Sequence, residues 1–147
     1  MSDASPAGNG SAKAYGNVSR ETLKTVQGLD LLQGMIDGRY PGPPIAELLD
    51  FGVTELGPGR AVFTGRPSRR HYNPSGTVHG GYAATLLDSA MGCAVHTLVP
   101  KGQGFTTLEI KINYVRPMFE NTGEVRCEAA VINMGKAASS RTARRPA

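Results

Sequence analysis

The longest regular pattern in the chain runs from Val78 to about Val99, and its period is helical. At roughly 100° per residue, Ala83, Leu86, Leu87, Ala90 and Ala94 gather on one side of the wheel. The opposite side carries Gly81, Ala84, Thr85, Asp88 and Gly92, small residues except for the carboxylate. A helix with a leucine–alanine stripe must bury that stripe against something. The segments around it alternate with the period of strands.

Leu48 to Leu56 and Arg60 to Arg66 read as two strands, and Gly57-Pro58-Gly59 between them reads as a hairpin turn. Beyond the helix, Phe105 to Arg116 alternates, with Leu108, Ile110, Ile112 and Tyr114 on one face and Thr107, Glu109, Lys111 and Asn113 on the other. Glu124 to Ile132 alternates again, with Val125, Cys127, Ala129 and Val131 as the apolar face. A further helical stretch opens at Ser19, a plausible N-cap, and runs to Ile36 with interruptions at Gly28 and Gly34. Tyr40-Pro41-Gly42-Pro43-Pro44 ends it. Residues 1–18 read as a flexible leader.

A chain of 147 residues suits one domain. The formal charge of +4 belongs to the end of the chain: Lys136, Arg141, Arg144 and Arg145 face no acid there, and the remaining basic residues match the 12 acids. A neutral body argues against nucleic-acid binding, which needs a basic face on the folded part. No apolar run approaches the ~18 residues of a membrane span, and no secretory signal is evident, so the expectation is a cytoplasmic protein. Cys93 and Cys127 fall in apolar patterns without a CxxC and read as small buried hydrophobes. His71, His79 and His96 show no metal spacing, so no metal or other cofactor is expected. There is no GxSxG elbow.

The chemistry of the long helix concentrates at its start. His79-Gly80-Gly81 puts two glycines in the first turn, at a cost in helix stability. The first N–H groups of a helix lack internal acceptors and sit at the positive end of its dipole. Such a place can hold an anion or a polarised carbonyl oxygen. Asp88 follows two turns later, with Gly81 near it in angle. A surface covering Asp88 would strip its water and favour a proton-transfer role. Read alone, Asp88 also fits a solvated helix position, and the glycines also fit close helix–sheet packing.

The run Asn73-Pro-Ser-Gly76-Thr-Val-His79-Gly80-Gly81, with Asp88 eight residues after Gly80, resembles the hotdog-fold acyl-CoA thioesterases of the phenylacetate-degradation (PaaI-like) type. Thr106 to Pro117 looks like the next strand of that family. The resemblance covers roughly Arg20 to Lys136 and implies an α+β hotdog fold, an antiparallel sheet wrapped around one long central helix, as a domain over 19–136. It implies hydrolysis of aryl or medium-chain acyl-CoA to free acid and CoA, in a homodimer or homotetramer whose sites lie between subunits.

By position, the resemblance makes Asp88 the carboxylate that activates water and the Gly80 N–H the donor to the thioester carbonyl. Asn73 becomes a polar neighbour of that carbonyl, His79 a residue that positions loop and thioester, and Thr107 a hydroxyl that helps hold the water. Gly81 and Arg116 join the substrate-binding set. So does Lys136, at the family's glycine-basic element, while Arg69 and Arg70 are further candidates for the CoA phosphates. A non-catalytic acyl-CoA-binding protein and an enoyl-CoA hydratase-type enzyme are the competing readings on the same fold. The family pattern continues with two more strands. Here residues 137–147 read instead as a basic irregular tail, so the C-terminal strands are expected to be missing, as in a shifted or shortened reading frame.

Overall fold

The computed structural model describes residues 14–135 and the backbone of 139–144. Its order is α1 (Arg20–Thr25), α2 (Gly28–Ile36), α3 (Pro44–Leu48), β1 (Phe51–Gly57), β2 (Arg60–Gly65), α4 (Gly80–His96), β3 (Val125–Met134) and β4 (Ser139–Arg144). The four strands form one antiparallel sheet in the order β1-β2-β3-β4. The long helix α4 lies across it, chiefly on β2 and β3. This is the hotdog arrangement, with the sheet left open rather than closed.

The core follows the two periodicities. Leu86, Ala90 and Ala94 of α4 are buried against Ala61 and Phe63 of β2 and Val125, Cys127 and Ala129 of β3. The pairs Ala61↔Ala129 and Phe63↔Cys127 stand opposite each other in register. Small residues on the strands leave room for the helix. At Gly65 an added Cβ would meet the Tyr82 hydroxyl at 2.5 Å and Phe51 Cβ at 2.9 Å. The outer face of the sheet is closed differently. Val62 stands between Glu55 and Glu128 in register and is fully buried. Arg60 and Arg126 each bridge Glu55 and Glu128 at 2.7–3.2 Å, a ring of four ion pairs on the two residues that flank that valine in register.

Several expectations need correction. The single helix expected from Ser19 is two. Ser19 does cap α1, accepting from Thr22 N–H at 3.1 Å, but the chain breaks at Val26–Gln27. The reason is Gly28: a Cβ there would lie 2.0 Å from the His96 carbonyl oxygen, so the backbone at the start of α2 lies directly against the end of α4. Gln27 fastens the break by donating to the Val99 carbonyl at 3.2 Å. The proline run leads into α3, with Pro44 at its first position, and β1 therefore starts at Phe51 rather than Leu48. Residues 14–16 of the expected flexible leader are paired. Gly16 N–H donates to the Gly42 carbonyl and Gly42 N–H to the Ala14 carbonyl, both at 2.9 Å, on either side of the Tyr15–Gly42 bridge. Residues 1–13 lie outside the described residues.

The tail is corrected in part. Residues 139–144, expected to be irregular, run antiparallel to β3 and satisfy the backbone groups along its edge. The largest departure is Phe105–Arg116. Its alternation is real, yet it joins no ladder among the described residues. Its neighbour is the helix α4, which offers no strand edge to pair with, and Leu108 is 82% exposed and Val115 85% exposed. No helix among the described residues is long and apolar enough to cross a membrane.

Candidate active site

α4 begins where the extended chain turns at His79. The incoming backbone is tied down first: His79 N–H donates to the His71 carbonyl at 2.7 Å, and Val78 N–H to the Met118 carbonyl at 2.9 Å. His79 then caps the helix with its side chain, Nδ1 accepting from Gly81 N–H at 2.8 Å. Tyr82 N–H donates to the His79 carbonyl at 2.9 Å. Gly80 N–H is left without an acceptor among the described residues, as the first position of a helix requires. The two glycines leave room for the side chains that pack against them. A Cβ at Gly80 would sit 3.2–3.3 Å from the Tyr114 ring and hydroxyl, and one at Gly81 would sit 2.9 Å from His79 Nδ1.

The small-residue face of α4 is covered, and the cover is the chain's own 105–114 segment. Phe105 lies over Gly92, 3.5 Å from where a Cβ would stand, and its ring packs 5.2 Å from the His96 ring. Thr107 Oγ1 donates to Asp88 Oδ1 at 2.7 Å. Tyr114 donates its hydroxyl to the Gly80 carbonyl at 3.0 Å. Gly92, placed with the outward residues on the wheel, is buried for this reason. Asp88 is half-buried rather than freely solvated, and its charge helps hold the neighbouring Cys93 thiol up at about 12, after the larger effect of burial.

The other sequence candidates divide. Asn73 makes its side-chain bonds inside its own loop: Oδ1 accepts from Ser75 and Thr77 N–H at 3.0 and 3.2 Å, and Nδ2 donates to Thr77 Oγ1 at 2.9 Å. It rigidifies the approach to His79 but makes no hydrogen bond to Gly80 or Asp88. Arg69 pairs with Glu120 at 2.8 Å, whereas Arg70 and Arg116 are exposed without an acidic partner among the described residues. Lys136 lies outside the described residues. His71 is buried, stacked on Tyr82 at 4.6 Å, and burial holds its pKa below the ordinary value; His96 is lowered for the same reason. Both are packing residues. Burial also holds the Cys127 thiol at about 11. Among the described residues no three His, Cys, Asp or Glu side chains converge as metal ligands would.

Tyr114 is the residue that sequence reasoning missed. It sits on the apolar face of an alternating segment and counts there as one more hydrophobe. The available signal was its hydroxyl, a polar group that normally finds a partner. Two surface hollows, of about 410 and 240 Å³, are lined by Tyr72, Phe119, Glu120 and Asn121 and by residues of β1 and β2. Neither reaches Gly80 or Asp88, both of which are half-buried.

Comparison with known proteins gives this arrangement a context. The model of the Thioesterase superfamily matches residues 75–139, which contain α4 and the segment that covers it. A Halobacterium salinarum protein named "Putative esterase" is 37% identical over 67 residues, 44% of this chain and 42% of that one, so the match spans less than half of that curated relative. Among solved structures, a conserved protein of Pseudomonas aeruginosa is 35% identical, with a TM-score of 0.54 over 63% of this chain and 72% of that one. A mutant of the phenylacetic acid degradation protein PaaI from Thermus thermophilus is 29% identical, with a TM-score of 0.59 over 70% and 89%.

Proposed function

From the premise that this chain belongs to the thioesterase superfamily, we propose that it hydrolyses acyl-CoA thioesters, with Asp88 activating water and the Gly80 N–H receiving the carbonyl oxygen. The observation that carries this is the Thr107–Asp88 hydrogen bond. It commits Oδ1 and leaves Oδ2 to take a proton. Gly80 and Asp88 stand eight residues apart, about 12 Å along a helix axis. The aspartate side chain leans back toward the helix start, and a carbonyl plus one water fill the remaining gap. Water adds to the carbonyl carbon and gives its proton to Asp88. Negative charge collects on the carbonyl oxygen at the Gly80 N–H, the positive end of the helix dipole. The C–S bond then breaks, and the CoA sulfur leaves as the thiol by taking the proton that Asp88 received from water, which restores the carboxylate.

Aryl or medium-chain acyl groups are the expected substrates. The proposed site needs a further wall, and the exposed Leu108, Ile110 and Val115 beside it suit burial against a second copy, in a dimer or tetramer. On this reading Asn73 of a second copy and the exposed Arg116 take part in holding the incoming CoA ester, and a cytoplasmic setting supplies the substrate. Thiol release measured over a panel of acyl-CoAs tests the reading. Asp88→Asn is expected to lower kcat by at least ~100-fold, the scale of positioned acid–base catalysis. Equal turnover in that variant would overturn the role of Asp88.

A further inference from the structure

The peptide unit between Gly80 and Gly81 is held at both ends. Its N–H donates to His79 Nδ1 at 2.8 Å, and its carbonyl accepts from the Tyr114 hydroxyl at 3.0 Å. The preceding unit, which carries the Gly80 N–H, has its own carbonyl engaged by Tyr82 N–H at 2.9 Å. The direction of the unpaired N–H is therefore set by two pinned planes hinged at Gly80. Neither glycine has a side chain to restrict that hinge, so beyond the helix's own ladder its direction depends on these outside bonds. The Tyr114 ring also fills the space in front of Gly80, 3.2 Å from the position of a Cβ. Tyr114 is 59% exposed, so its burial contributes little to the fold, while its hydroxyl is spent on this one carbonyl.

We propose that Tyr114 is a positioning residue for the Gly80 N–H donor, acting through the Gly80–Gly81 peptide unit that it shares with His79. The inference rests on the thioesterase reading for its consequence in catalysis, but not for the geometry itself. Thr107 and Tyr114 lie on one segment, so the same stretch of chain fixes both the water-activating carboxylate and the carbonyl-binding N–H.

Tyr114→Phe keeps the ring and removes only the hydroxyl. The expected result is a kcat lowered about fivefold, equivalent to about 1 kcal/mol, with KM within twofold and an unchanged melting temperature. The Gly80 and Gly81 amide resonances are expected to shift and the Asp88 and Thr107 amides to stay in place. Combined with His79→Ala, the loss in kcat is expected to be less than the product of the two single losses, because both act on one peptide unit. A tyrosine that only packs the segment would give wild-type kcat in Tyr114→Phe, and that result overturns the proposal. So do unmoved Gly80 and Gly81 resonances. Should the wild-type chain release no thiol from any acyl-CoA, the functional reading fails separately, and the amide shifts alone decide the role of Tyr114.

Discussion

Replacing Thr107 with valine deletes one hydrogen bond and little else. The two side chains share a branched shape, and Thr107 is exposed, so packing changes little and the folding cost is at most that of the bond itself. The bond removed is short: 2.7 Å from hydroxyl oxygen to carboxylate oxygen, at the edge of the charge-assisted range. Hydrogen bonds to charged groups contribute roughly 1.5–3 kcal/mol, and exposure of Thr107 argues for the lower end. A loss of about 1.5 kcal/mol in transition-state stabilisation is about tenfold in kcat. The consequence is positional, because Asp88 freed at Oδ1 rotates and its second oxygen no longer has a fixed direction for the water. Steady-state thiol release is the assay, with thermal melting alongside. Thr107→Ser retains the hydroxyl and is expected within about threefold of wild type. The reasoning is refuted if Thr107→Val keeps wild-type kcat. It is also refuted if serine loses as much as valine, since the methyl group would then matter rather than the bond.

Two further expectations concern the scaffold. Gly28→Ala places a Cβ 2.0 Å from the His96 carbonyl oxygen, backbone against side chain with no flexible end to yield, and is expected to cost about 3 kcal/mol, read as a lower urea midpoint at unchanged slope; an unchanged midpoint would mean that α2 does not dock on the end of α4 as described. The Glu55 carboxyl is held below its ordinary value of 4.5 by hydrogen bonds from Arg60 and then Arg126, and that of Glu128 by hydrogen bonds from Arg126 and then Arg60. A carboxylate whose pKa is depressed in the folded state stabilises above its unfolded pKa and loses that contribution as pH falls through the folded value. The melting temperature should therefore drop below about pH 4.5, less steeply in Glu55→Gln/Glu128→Gln and in high salt. An identical acid limb in the double variant would remove the ring from the account.

The helical stripe and the strand alternation made the core legible, because a buried helix face and a buried sheet face each have one period. Ala61, Phe63, Leu86, Ala90, Cys127 and Ala129 all lie where those periods put them. Element boundaries were less legible where backbone approach decided them. Nothing in the pattern of residues 19–36 says that Gly28 must meet the His96 carbonyl, and only that contact explains why α1 and α2 are separate.

Phe105–Arg116 shows why alternation alone does not make a strand. A period of two says which side chains share a face, but a ladder needs a second backbone in register. The segment instead lies on α4, and it can do so because that helix face is built from Gly80, Ala84, Asp88 and Gly92. Three of these positions receive something specific: Tyr114 at Gly80, Thr107 at Asp88, Phe105 at Gly92. The small-residue face and the alternating segment are thus two halves of one feature, read separately in the sequence because 19 and 34 positions separate the two hydrogen-bonded pairs. Their meeting means that a carboxylate on a helix and an unpaired N–H at its start, the two ends of the proposed site, are both contacted by the same stretch of chain. The distance between those ends then depends on how that stretch is anchored, which makes Thr107 and Tyr114, rather than Asp88 and Gly80 themselves, the residues whose loss should separate geometry from chemistry.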